Sequence, residues 1–348
     1  MQERKRTLYE FELTKAAKRL VEDMFQLQEG ETLIITADTE SDKNVVNATA
    51  ACAHAIGAKP MVIWLPSPLG VGKAADPMLP IEALTGALCH ADAWVEFNNQ
   101  WLLYSTPFEI ATEKNEKLRY LCLVGMNADM MVRTIGRVNQ VALSRLLKTI
   151  TQATSSSKTM RIKTPAGTDL SFDLEPTYQV VCDDGDASGP GIHMLGGQIS
   201  VFPKFDSIEG KLVFDGSLSP PCGLLQEPVH MVVEAGRVTS ISGGRQATEF
   251  ELWLKSFDDP NMFRLAHCSY GLNPGAKLTG DILEDERVWG CMEWGLGYVS
   301  PIDAPPGIDA KSHTDGICLN ASVWLDDRLI IEEGEIVDPE MRELALKL

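Results

Sequence analysis

The chain has 348 residues, 44% of them apolar and 23% charged, which suits a globular protein of two domains or one large one. Its formal net charge of −18 argues against nucleic acid and anionic membrane surfaces as partners, because both attract basic patches. The opening MQERKRTLYEFELT has charges with no apolar run behind them, and no stretch reaches the ~18 apolar residues of a membrane span, so a cytoplasmic protein is expected.

From residue 12 to 27, Leu13, Ala16, Ala17, Leu20, Val21, Met24 and Phe25 recur at three- and four-residue steps, which predicts a helix. A β-rich run follows at Thr32–Thr36. Asp42 or Ser41 is placed to cap a helix over 44–56, and Met61–Leu65 reads as a second strand. This β-α-β unit is the mark of a parallel sheet. The alternation continues with a helix at 81–88, a strand at 93–97, a helix at 106–118, a strand at 119–124 and a long helix from Met130 to Thr151. The expectation is a Rossmann-like α/β domain over residues 1–152. No GxGxxG or GxxxxGK[ST] follows the first strand, and the acidic loop Asp38–Asp42 would repel a phosphate, so nucleotide binding is not expected here.

The polar, serine-rich segment 151–158 is the expected domain boundary. After it come short strands separated by glycine turns, near 160–164, 168–173, 198–202, 211–215, 230–234 and 237–241. Helices are expected near 250–256 and 260–265. Residues 153–348 thus read as an α+β metal-binding domain. Asp183-Asp184-Gly185-Asp186 resembles half of a calcium loop but reads as a solvated loop, and His193 lies in a glycine-rich loop. His54 and His90 read as structural. The eight cysteines form no CxxC pair and are expected to be reduced, buried thiols.

The second domain is organised around residues 265–326. His313-Thr314-Asp315 is its sharpest feature. In an extended strand alternate side chains share a face, so His313 and Asp315 would point the same way, ~7 Å apart along the strand. Imidazole plus carboxylate suits iron, manganese or zinc. His267 and Glu293 sit in similar apolar, glycine-rich settings, where a buried charge needs a partner or a metal. His267, Glu293, His313 and Asp315 are therefore candidate ligands, expected on loops and strand ends.

The same stretch carries a resemblance. Phe263-Arg-Leu-Ala-His267, Gly271-Leu-Asn-Pro274, Leu283-Glu-Asp-Glu286, Gly290-Cys-Met-Glu-Trp-Gly-Leu-Gly297 and His313-Thr-Asp315 are similar to the aminopeptidase T superfamily. Within it they most resemble the 2,5-dihydroxypyridine 5,6-dioxygenases. Val201-Phe-Pro and Glu209-Gly-Lys-Leu-Val-Phe-Asp215 add to the likeness, and the first half matches more loosely. The resemblance implies a mononuclear Fe(II) ring-cleaving enzyme held by His267, His313 and Asp315. Its partners would be a dihydroxylated aromatic substrate and dioxygen, and it would assemble as a homo-oligomer, a dimer or larger. His267 stands where the peptidases have a glutamate and neutral Gln198 near a second one, and losing that bridging charge favours a single ion. The dioxygenases' serine ligand falls at Gly295, with Ser300 nearby, and their acid/base histidine at Tyr104. Tyr104 and Glu293 are thus the candidate proton-transfer groups, with Trp101, Trp289 and Trp294 as candidate pocket walls. The alternative is a metal-dependent hydrolase, an amidase or aminopeptidase, using zinc or manganese and Glu293 as ligand or base.

Overall fold

The computed structural model describes residues 10–301 and 303–348, so most of the charged N-terminal run lies outside the described residues. The chain forms two compact units, 1–140 with 185–196, and 141–184 with 197–348.

The first unit is built on five parallel strands in the order Lys59–Leu65, Thr32–Asp38, Ala93–Glu96, Arg119–Cys122 and Gly191–Met194. The first four are the expected ones. The fifth contains His193, which therefore sits in a strand rather than a loop. Asp42 caps the helix Lys43–Ala55, accepting from the backbone of Asn44 at 2.9 Å, and its other oxygen accepts from Ala128 at 2.9 Å. Trp94, Phe108 and Tyr120 pack at the centre, with Trp94 and Tyr120 ring centroids 4.3 Å apart. The long helix expected from Met130 is broken. A turn of helix at Ala128–Met131 passes into a π-turn at Val132–Gly136, and a new helix runs from Gln140 to Ser155. The Gln140 amide ends the first piece by donating to the carbonyls of Thr134 at 3.1 Å and Ile135 at 3.3 Å.

The second unit contains two antiparallel sheets. One has eight strands, running from Arg237–Gly243 through Glu209–Phe214 and Thr159–Lys163 to Glu335–Ile336. The other has seven, in the order Gly223–Leu224, Ser217–Ser219, Ile308–Cys318, Cys291–Val299, Leu265–Gly271, Gln198–Val201 and Val181–Asp183. They stack through Trp294, whose ring meets Phe172 edge-on at 5.4 Å, and through Gly316, where an added Cβ would lie 2.3 Å from the Phe214 ring. The serine-rich segment is not the boundary. Its helix belongs to this unit, where Ser144 and Lys148 reach Asp184 at 2.7 and 2.8 Å and Thr154 meets the Tyr270 hydroxyl at 3.0 Å. Asp183 and Asp184 are likewise not a solvated loop, since Asp183 ends a strand and Asp184 is only 8% exposed.

Candidate metal centre

Three neighbouring strands carry the four candidate ligands, in their interiors rather than on loops. Pairing sets Ser269 against Glu293, Gly295 against Asp315 and Gly297 against His313. Directly opposed residues share a face, so Glu293, His313 and Asp315 all point away from the inter-sheet core. Between Leu265 and Cys268 the register slips, three residues on that strand spanning two on its neighbour. Cys268 and Ser269 remain in register with Trp294 and Glu293, so His267, two residues before Ser269, falls on the Glu293 face.

His267, His313 and Asp315 each offer a ligand atom, and these atoms all lie within 4.8 Å of one another. His313 Nε2 is 2.8 Å from Asp315 Oδ1, and His267 Nε2 is 3.8 Å from the same oxygen. Glu293 stands beside that group and reaches it at His267, 3.2 Å away. The imidazole rings stack 5.2 Å apart with planes 3° from parallel. Gly295 makes this possible, because a Cβ there would lie 2.6 Å from His267 Cε1 and 2.8 Å from His313 Cε1. A side chain at 295, such as the serine of the family pattern, requires both rings to move.

Two observations fit a cation. The Nδ1 of His313 is 2.9 Å from the Tyr298 carbonyl, and a carbonyl only accepts, so Nδ1 carries a proton. Nε2 then faces a carboxylate oxygen, a contact that needs a second proton or a metal between the lone pairs. Glu293 is fully buried, and His267 at 3.2 Å faces it as an ion pair without good hydrogen-bond geometry at either carboxylate oxygen. The protonation states carry the same tension. Burial opposes charge on His267, but Glu293 and Asp315 outweigh it and raise its pKa to about 9. Burial lifts Glu293 to about 7 despite His267. Burial also disfavours charge on His313 and Asp315, yet their mutual attraction prevails, raising the histidine and lowering the aspartate.

Sequence reasoning missed the surroundings. Gln198, read as a lost metal ligand, donates its amide to Glu286 at 2.9 Å. Arg287, 1% exposed, donates to the other Glu286 oxygen and faces Asp183 at 3.9 Å. Glu286 was one carboxylate among several in the stretch, with nothing local to single it out. Trp294 points to the inter-sheet core rather than a pocket. Ser300 follows the end of the Glu293 strand. Tyr104 and Trp101 belong to the first unit, where Tyr104 is 61% exposed at a positive φ of 66°.

The family described as 2,5-dihydroxypyridine 5,6-dioxygenase matches residues 12–338. A protein of that name from Pseudomonas putida KT2440 is 27% identical over 343 residues, covering 90% of this chain and 93% of the relative. The solved structure of 2,5-dihydroxypyridine dioxygenase from the same strain superposes with a TM-score of 0.78 at 22% identity, covering 96% of this chain and 99% of the other. AmpT from Thermus thermophilus shares the fold with a TM-score of 0.70 at 16% identity, covering 95% and 100%. The chain belongs to the 2,5-dihydroxypyridine 5,6-dioxygenase family and is an enzyme of the dioxygenase class.

Proposed function

We propose that this protein is a mononuclear non-haem Fe(II) dioxygenase that opens the ring of a dihydroxylated N-heteroaromatic, 2,5-dihydroxypyridine or a close analogue. The convergence of His267, His313 and Asp315 on one sheet face carries the reading. Two imidazoles and one carboxylate are the donor set of the non-haem iron oxygenases. The iron, when bound, supplies the redox chemistry that ring cleavage by dioxygen requires. The Tyr298 carbonyl orients His313, and Gly295 gives both rings their space. Glu293 serves as a further ligand or as a proton carrier beside His267. The rest of the reading is a homo-oligomer, a dimer or larger, in the cytoplasm. Among the described residues no helix is long and apolar enough to cross a membrane.

Glu293 beside His267 would equally serve a one-metal hydrolase, but a two-metal hydrolase gains nothing from the site. A second ion needs bridging charge, and Gln198 is a neutral amide already bonded to Glu286. Zinc and manganese also suit the donors, so metal analysis decides. The protein is purified without chelator, its metal measured by mass spectrometry, and oxygen uptake followed after anaerobic Fe(II) loading with a panel of dihydroxypyridines and dihydroxybenzenes. One iron per chain with ring-dependent oxygen uptake is expected. Zinc or manganese, with no uptake on any ring, would return the protein to the hydrolases.

A further inference from the structure

Glu286 lies in the turn between the short helix Ile282–Asp285 and the Glu293 strand. That turn crosses the sheet at Gly271, where an added Cβ would meet the Glu286 carbonyl at 2.9 Å and Cys291 Sγ at 2.4 Å. Gly271 is paired with Gln198, which places the Gln198 amide under the Glu286 carboxylate. One Glu286 oxygen accepts from Gln198 Nε2 at 2.9 Å, and the other accepts from Arg287 Nη1. Arg287 is held in turn by the Leu283 carbonyl at 2.7 Å and by Asp183. A carboxylate clamped through both oxygens cannot rotate, yet about two of its four acceptor directions remain unused by these bonds. Its side chain is 18% exposed, matching the 18% of His267 and 19% of Asp315. Gly271 stands two residues along from Ser269, which is paired with Glu293, so Gln198 and the carboxylate it holds lie on the ligand face of the sheet. Glu286 is therefore a rigid acceptor near the ligand cluster.

We propose that Glu286 grips the substrate by accepting the ring N–H of a hydroxypyridone, and that it thereby sets the preference for an N-heteroaromatic ring over the carbocyclic one. Gln198 and Arg287 are the positioning residues that aim it. The proposal rests on the dioxygenase reading above. A 2-hydroxypyridine in its lactam form presents an N–H beside a carbonyl, and a fixed carboxylate bonds that donor with charge assistance. Hydroquinone has the same ring size and para oxygens but a C–H in place of the nitrogen, so it leaves the acceptor unpaired.

The test compares anaerobic binding of 2,5-dihydroxypyridine and hydroquinone to iron-loaded protein by calorimetry, with iron content measured on the same samples. The wild type is expected to prefer the pyridine by about 30-fold, the scale of one charge-assisted hydrogen bond. In Glu286→Gln that preference should fall to within about threefold while iron content holds, because a neutral amide makes no charge-assisted bond. Gln198→Leu, which unclamps Glu286, should lose part of it. Equal wild-type binding of both rings, or a preference surviving in Glu286→Gln, would overturn the assignment. So would loss of iron from Glu286→Gln, which would place this carboxylate in the metal shell. Failure of the dioxygenase reading shows separately, as no oxygen uptake by the iron-loaded wild type on any dihydroxypyridine, and takes this inference with it.

Discussion

Gly295 lies on the Glu293 strand against the two imidazoles that pack across it, and its missing Cβ is the space they use. Gly295→Ala should therefore weaken metal retention by about 10–100-fold, the range for disturbing groups that orient ligands. Dialysis against graded chelator reads this out, and unchanged retention would show that the rings have room to spare. His313→Ala and Asp315→Ala should each abolish retention, since a three-ligand site loses a third of its donors; a variant with full metal content by elemental analysis would remove that residue from the shell. The His-x-Asp pair was legible in the sequence because a strand repeats every two residues. The role of Gln198 was not, because its partner Glu286 lies 88 residues away and no local pattern joins them.

At the scale of elements, the α/β alternation of the first unit was readable because each strand and helix is short, apolar and punctuated. Asp42 was a candidate cap on the same grounds, and it does more than cap. It holds the first turn of its own helix and the start of Ala128–Met131. Asp42→Ala should cost about 1–2 kcal/mol, the upper range for a lost cap. Urea unfolding followed by circular dichroism measures it, and a loss below about 0.5 kcal/mol would mean that water replaces both bonds. The sequence puts His313 and Asp315 on an extended strand but the ligands as a set on loops and strand ends, because the glycines around them look like turn signals. In the structure several of those glycines mark close approach instead. Gly295 faces the histidines, Gly316 faces Phe214, and a Cβ on Gly297 would lie 2.3 Å from the Ser312 carbonyl.

For the whole molecule, the metal centre ties stability to pH. In the metal-free protein His267 titrates near 9 against an ordinary 6.5. Its proton stabilises the fold fully below pH ~6.5, and that contribution is lost as pH rises through about 9. Glu293, raised from 4.5 to about 7, acts in the same direction at lower pH. The melting temperature of metal-free protein should thus fall between pH 6.5 and 9, and saturating Fe(II) or Zn(II) should flatten the fall while releasing protons. Scanning calorimetry with and without metal checks this, and parallel curves would detach His267 from the ion. The sequence by itself determined the parallel α/β half, the strand-rich second half and the shared face of His313 and Asp315, because these follow from local period and composition. The tertiary structure alone decided that residues 185–196 return to the first unit as its fifth strand. It alone decided that His267 comes to 3.8 Å from Asp315, and that Glu286 is clamped by Gln198 and Arg287. Each depends on register between strands distant in the chain, and a one-residue slip, invisible to local periodicity, reverses which face a side chain takes.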